Sequence, residues 1–163
     1  MRKSLWIIFS MIFVLAIATL YLKLSSEPNL SNEEQIQALL AEGETAIESR
    51  NVRQAMSLVS ADYKDSIGFT YPTLRIEVMQ AFRSADAFDV ILGHPKIHIS
   101  GNSAVVNLDV SVAAIRAGER QNVFSSPVSL KLRLERQTRY FFFHTPKWRI
   151  ISISIEGAFV PGF

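Results

Sequence analysis

The sequence predicts an α+β domain, three helices packed on one face of an antiparallel four-stranded sheet, preceded by one transmembrane helix. Three observations predict it. No charged residue occurs between Leu5 and Leu22. Apolar residues then recur at helical spacing as far as about Phe82, and after Ala87 the period of the pattern falls to two.

Residues 5–22 are 18 uncharged, mainly apolar positions. As a helix they extend about 27 Å, close to the hydrocarbon thickness of a bilayer. Arg2 and Lys3 precede them, which keeps the N-terminus cytoplasmic. The expected arrangement is a signal anchor over 1–24, a polar linker over 25–32 and an exported domain over 33–163. The protein would then sit in the inner (cytoplasmic) membrane as a single-pass chain, its domain on the periplasmic or extracellular side. Cleavage after Ala16-Ile17-Ala18 is the rival reading, and it exports the same domain.

Ser31-Asn32-Glu33-Glu34 reads as a capping box, opening a helix to about Arg50 with Ile36, Leu40, Gly43 and Ile47 on its buried stripe. A second helix runs from about Val52 to Val59. The stretch "SADYKDSIGFTYP" follows, and Pro72 suits the first turn of a third helix whose inward face is Leu74, Val78 and Phe82. Four strands complete the domain. Ile97 and Ile99 mark the first. Val106, Leu108, Val110 and Val112 mark the second, Val128, Leu130, Leu132 and Leu134 the third, and Ile151, Ile153 and Ile155 the last. Gly101-Asn102 and Gly118 supply turns, and Ser125-Ser126-Pro127 reads as a loop or bulge before the third strand. Each strand is apolar on one face and mainly polar on the other, the pattern of a sheet covered on one side.

Composition excludes several functions. With no cysteine, thiol catalysis, disulfides and cysteine-held metals are out. Arg2, Lys3 and Lys23 account for three of the 17 basic residues, so the rest of the chain holds 14 bases against 15 acids, net −1. No nucleic-acid footprint follows from that balance. His94 and His98 share a strand face without a third ligand, so no metal is expected. No nucleotide or nucleophile-elbow motif occurs, and no cofactor is expected.

The segments "AIESRNVRQAMSLVSADYKDSIG" and "LKLRLERQTRYFFFHTPKWRIIS" resemble the nuclear transport factor 2-like (cystatin-like) superfamily, in its bacterial membrane-anchored or exported form. The Arg50-Asn51 break, Leu58-Val59-Ser60-Ala61-Asp62-Tyr63, the alternation from Leu130 to Glu135, and Trp148-Arg149-Ile150 carry the resemblance, which spans about residues 33–156. It implies a curved, cone-shaped arrangement of helices on a sheet. That superfamily contains isomerases, hydrolases, ligand carriers and protein-binding subunits, so shape alone does not select a function.

Asp62, Tyr63 and Asp109 are the candidate acid–base residues. Asp62 and Asp65 lie in a polar connection, where carboxylates stay solvated or cap backbone N–H groups, and Tyr63 is expected to pack its ring on the sheet edge with its hydroxyl outward. Asp109 shares a face with Asn107 and Ser111, the outer one. The apolar sheet face, Val106, Leu108, Val110, Leu130 and Leu132, is the candidate wall of a pocket for a small apolar ligand. Tyr140, Phe141, Phe142 and Phe143 are candidate interface residues, because four consecutive aromatics cannot all face one core from a strand. Trp148 and Ile150 share the face opposite Ile151, Ile153 and Ile155, with the aromatic run as their cover. The expected function is a non-catalytic exported domain at the membrane, held by residues 5–22, serving protein–protein association or scaffolding with a protein partner or as a homodimer. The alternative is a carrier of a small apolar ligand in the cone, and an isomerase- or hydrolase-like enzyme comes third.

Overall fold

The chain divides into two units, Met1–Ser31 and Asn32–Phe163. The computed structural model describes residues 30–139 and 143–155, with 136–139 and 143–145 by backbone alone. Residues 5–22 lie outside the described residues. Among those described, no helix is long and apolar enough to cross a membrane.

Helix α1 (Asn32–Glu48) carries Glu33 and Glu34 in its first turn, where negative charge meets the positive end of the helix dipole. Its buried side chains are Ile36, Leu39, Leu40 and Ala46, at the spacing of one helical face. Arg50 ends the first helical segment in the left-handed region, at φ 52°, and its guanidinium donates to the Ala85 carbonyl at 3.0 Å. Helix α2 (Val52–Ser57) starts at Asn51, whose side chain accepts from the Gln54 N–H. Helix α3 (Tyr71–Arg83) opens with a Thr70/Thr73 capping box and Pro72 in its first turn.

Five strands are described, β1 (Ala87–Leu92), β2 (Lys96–Ser100), β3 (Ser103–Arg116), β4 (Glu119–Arg139) and β5 (Phe143–Ile155). All pairings are antiparallel, in the order β1-β3-β4-β5, with β2 also on β3. The sheet therefore has one strand more than expected. The missed strand is β1, whose adjacent Val90, Ile91 and Leu92 blur the alternation that marks a strand with one covered face. Ser125-Ser126-Pro127 is also corrected: it lies inside β4, with Pro127 opposite Asp109.

Ile36, Leu39 and Leu40 of α1 and Leu58 pack on Ala104, Val106, Leu108, Val128, Leu130, Leu132 and Trp148. Each valine, leucine or isoleucine side chain so taken out of water contributes about 1.5–3 kcal/mol before the entropy of ordering it. Gly43 sits against Leu58, where an added Cβ would meet Leu58 Cδ1 at 3.6 Å.

The face assignment of β5 is corrected too. Lys131 pairs with Ser152 but Leu132 pairs with Ile150, so Ile151 is an extra residue in a bulge. A bulge resets the period. Trp148, Ile150 and Ile153 consequently all join the core on the helix side, while the aromatic run expected to cover Trp148 lies outside the residues whose side chains are described. The connection after α2 lies along the edge of β5 at that bulge. Ile150 N–H donates to the Leu58 carbonyl at 2.9 Å, Ser60 N–H to the Ile150 carbonyl at 2.9 Å, and Lys64 N–H to the Ile151 carbonyl at 3.1 Å. These bonds satisfy edge groups that would otherwise be left open to pairing.

Candidate functional site

The connection from Ser60 to Thr70 places two of the three acid–base candidates. Ser60 is 2% exposed. Its hydroxyl donates to Glu135 Oε1 at 2.6 Å and accepts from the Asp62 N–H at 3.1 Å. Arg133 reaches in from β4, with Nη2 at 2.7 Å from Asp62 Oδ2 and 2.8 Å from Glu135 Oε1. Hydrogen bonds to Glu135 first, and to Asp62 second, raise the Arg133 pKa above its ordinary value. Asp62 is thus the exposed end of a network that fastens the connection to the sheet.

Tyr63 is buried, at 3% exposure, and donates its hydroxyl to Asp65 Oδ2 at 3.1 Å. The expectation of an outward hydroxyl is corrected: the hydroxyl goes down with the ring because Asp65 is there to accept it. The other Asp65 oxygen accepts from the Ile67 and Phe69 N–H groups at 3.1 and 2.8 Å. Burial first, then the Asp65 charge and the hydrogen bond to it, raise the Tyr63 pKa. A phenol held neutral in this way is a donor that locks a loop, and Asp65 is an acceptor that closes it.

Asp109 stands apart from both. It is exposed on the outer face, on the opposite side of β3 from Leu108, as its alternation with Asn107 and Ser111 predicts. It lines a cleft of about 290 Å³ with Ile91, Gly93, Ser111, Ser125 and Pro127.

Val106, Leu108, Leu130 and Leu132 of the apolar sheet face are buried in the core, and Val110 is packed against it. Trp148, at 4% exposure, keeps an indole N–H with no acceptor among the described residues. His94 and His98 are exposed, and no group of three metal-ligating side chains occurs among the described residues.

The β4–β5 hairpin runs on beyond the sheet. The last β3–β4 pair is Ser103 with Arg133, followed by one bond from the Leu134 N–H to the Asn102 carbonyl. The β4–β5 ladder continues from Glu135–Lys147 to Arg139–Phe143. These residues make a two-stranded arm about 17 Å long. Of the candidate interface residues, Tyr140, Phe141 and Phe142 lie outside the described residues, and Phe143 is described by backbone alone.

Sequence reasoning did not find Ser60, Arg133 and Glu135 as one network. Arg133 and Glu135 two apart on the polar face of β4 were the visible half, whereas Ser60 lies more than 70 positions away.

No protein-family model matches the chain, and no curated protein does. Solved structures do. A nuclear transport factor 2-like protein with a cystatin-like fold from Novosphingobium aromaticivorans has a TM-score of 0.61 at 17% identity, covering 88% of this chain and 90% of that one. A nuclear transport factor 2-like superfamily protein from Salmonella enterica serovar Typhimurium has a TM-score of 0.61 at 16% identity, covering 80% and 96%. A protein of unknown function with a cystatin-like fold from Nostoc punctiforme has a TM-score of 0.59 at 15% identity, covering 76% and 89%. Helices on one face of a curved antiparallel sheet, shared with these proteins over most of its length, give this chain the nuclear transport factor 2-like, cystatin-like fold.

Proposed function

We propose that the chain is a non-catalytic association domain, exported and held at the inner membrane by residues 5–22, which pairs with a second copy of itself through the β4–β5 arm. The observation that carries this reading is the arm itself. A two-stranded ribbon alone is marginally stable in water, yet this one continues for six residue pairs past its last pairing with β3, at Arg133. In the sequence the aromatic run Tyr140, Phe141, Phe142 and Phe143 follows directly on Arg139 of β4, and an apolar run of this kind marks burial or association. Two further facts support it. The apolar sheet face is packed by α1 and Leu58, and Asp62 and Tyr63 are held in bonds that fasten a loop. The test has two parts. Carbonate-washed membranes should retain the full-length protein, and a single cysteine placed in the arm of this cysteine-free chain should cross-link two copies.

A second reading, a carrier of a small apolar ligand bound between helices and sheet, is favoured by the Trp148 N–H, which is buried without an acceptor among the described residues. A ligand oxygen would satisfy it. Native mass spectrometry of the purified protein, looking for a co-purifying lipid that is lost in Trp148→Phe, separates the two readings.

A further inference from the structure

Asp109 on the outer face is an acidic group that the fold does not use. Of the five aspartates in the sequence, four have partners. Asp62 pairs with Arg133, Asp65 closes its loop, Asp86 accepts from the Ala117 N–H, and Asp89 pairs with Arg120. Among the described residues the Asp109 carboxylate has neither a hydrogen bond nor an ion pair.

Its surroundings are built as a cleft. Ile91, Ser111 and Ser125 form one row across β1, β3 and β4, and Asp109 with Pro127 form the next. Gly93 leaves β1 beside Asp109, its N–H donating to the Asp109 carbonyl at 2.8 Å. An added Cβ at Gly93 would meet Asp109 Cβ at 3.2 Å, so glycine is what lets the chain pass this close. The space holds about 290 Å³, near the lower end for small-molecule sites. Two hydroxyls, from Ser111 and Ser125, stand on the Asp109 face, both without partners among the described residues. Ile91, 56% exposed, and Pro127 supply apolar walls.

We propose that this cleft binds a primary ammonium group on an aliphatic stem, with the Asp109 carboxylate and the Ser111 and Ser125 hydroxyls as its three acceptors. An ammonium carries three donors and no acceptor, which matches one carboxylate and two hydroxyls. Ser111 and Ser125 are directly opposite, a spacing of about 4.5–5.5 Å between Cβ atoms, and Asp109 lies diagonal to Ser125 at about 7–8 Å, so one nitrogen can sit between the two hydroxyls and the carboxylate that reaches from the next row. The stem lies along Ile91 and Pro127, which an amine with a methylene chain satisfies and a bare metal cation does not. The same chemistry comes from a free alkylamine or from a lysine side chain of a protein. The site lies on a different part of the sheet from the arm and does not rest on the association reading.

The test is a titration of the full-length chain in detergent micelles, following the Gly93 and Ser111 amide resonances. The probes are n-pentylamine, the capped peptide Gly-Lys-Gly, and pentan-1-ol as the neutral control. Saturable shifts with either amine and none with the alcohol are expected, and the tighter amine identifies the source. Asp109→Asn, which keeps the shape and removes the charge, should weaken binding by about tenfold or more. The Ser111→Ala/Ser125→Ala double variant should weaken it several-fold while leaving the charge. Shifts that do not saturate, an Asp109→Asn variant that binds like the parent, or full binding by the double serine variant would each overturn the proposal.

Discussion

Ser60 donates its buried hydroxyl to Glu135 Oε1 at 2.6 Å, across 75 positions of sequence. This bond joins the connection after α2 to the far side of the sheet. Ser60→Ala removes it and leaves Glu135 with Arg133 as its partner, so a loss of about 1–2 kcal/mol is expected. Asp62→Asn weakens only the exposed end of the same network. Surface ion pairs contribute about 0–1 kcal/mol, and the melting temperature should stay close to that of the parent. Thermal unfolding of both variants checks the order, and an Asp62→Asn variant that falls further than Ser60→Ala would mean the network is anchored from the surface.

Trp148 is the largest side chain in the core cluster. Trp148→Ala is expected to cost about 3–5 kcal/mol, a large part of the ~5–15 kcal/mol that holds a small domain. Trp148→Phe keeps an aromatic ring and removes an N–H that has no acceptor among the described residues, so less than about half of that loss is expected. Equal losses in the two variants, measured by chemical denaturation, would show that the indole N–H has a partner after all.

Tyr63 gives the alkaline limit of stability. Its pKa in the folded chain is raised above the ordinary value of about 10. The neutral phenol is therefore favoured by folding, and its contribution is complete below pH ~10. It is lost as pH rises above that value toward the folded-state pKa, since the unfolded chain releases the proton first. Melting temperatures between pH 8 and 11.5 should fall at the alkaline end, and Tyr63→Phe should flatten that fall. An unchanged slope in Tyr63→Phe would assign the fall to other groups.

The sequence carried the strands with clean alternation. Val106, Leu108, Leu130 and Leu132 announce their face because Asn107, Lys131 and Arg133 interrupt them at every second place. Where the period breaks, legibility ends. Val90, Ile91 and Leu92 hide β1, and the extra Ile151 reverses the face of everything before it in β5, Trp148 included. Asp62 and Tyr63 were visible as residue types, but their roles depend on Arg133 and Asp65, and a partner 71 positions away leaves no local signal. Asp109 was legible as an outward residue. The cleft around it was not, because Ile91 belongs to the strand that the pattern concealed and Gly93 follows directly on that strand's end.

Shortening the arm separates its role from the stability of the domain. Replacing residues 136–146 by an Asn-Gly turn keeps Leu134 and Trp148 in place and supplies a two-residue hairpin connection. The melting temperature should change by no more than a few degrees, since ~1 kcal/mol corresponds to roughly 2–8 °C in a domain of this size. Complete unfolding of the shortened chain would show that the arm belongs to the core.

The association reading is tested most directly by cross-linking in intact membranes. The chain has no cysteine, so Phe141→Cys introduces a single thiol in the sequence that links the arm's two strands, and Ser57→Cys introduces one on the exposed side of α2 as a reference. With a short bismaleimide, Phe141→Cys is expected to give a product of twice the mass of the chain, and Ser57→Cys is expected to remain a monomer. A monomer from both variants, or a Phe141→Cys product whose mass corresponds to a different protein, would contradict pairing of two copies through the arm.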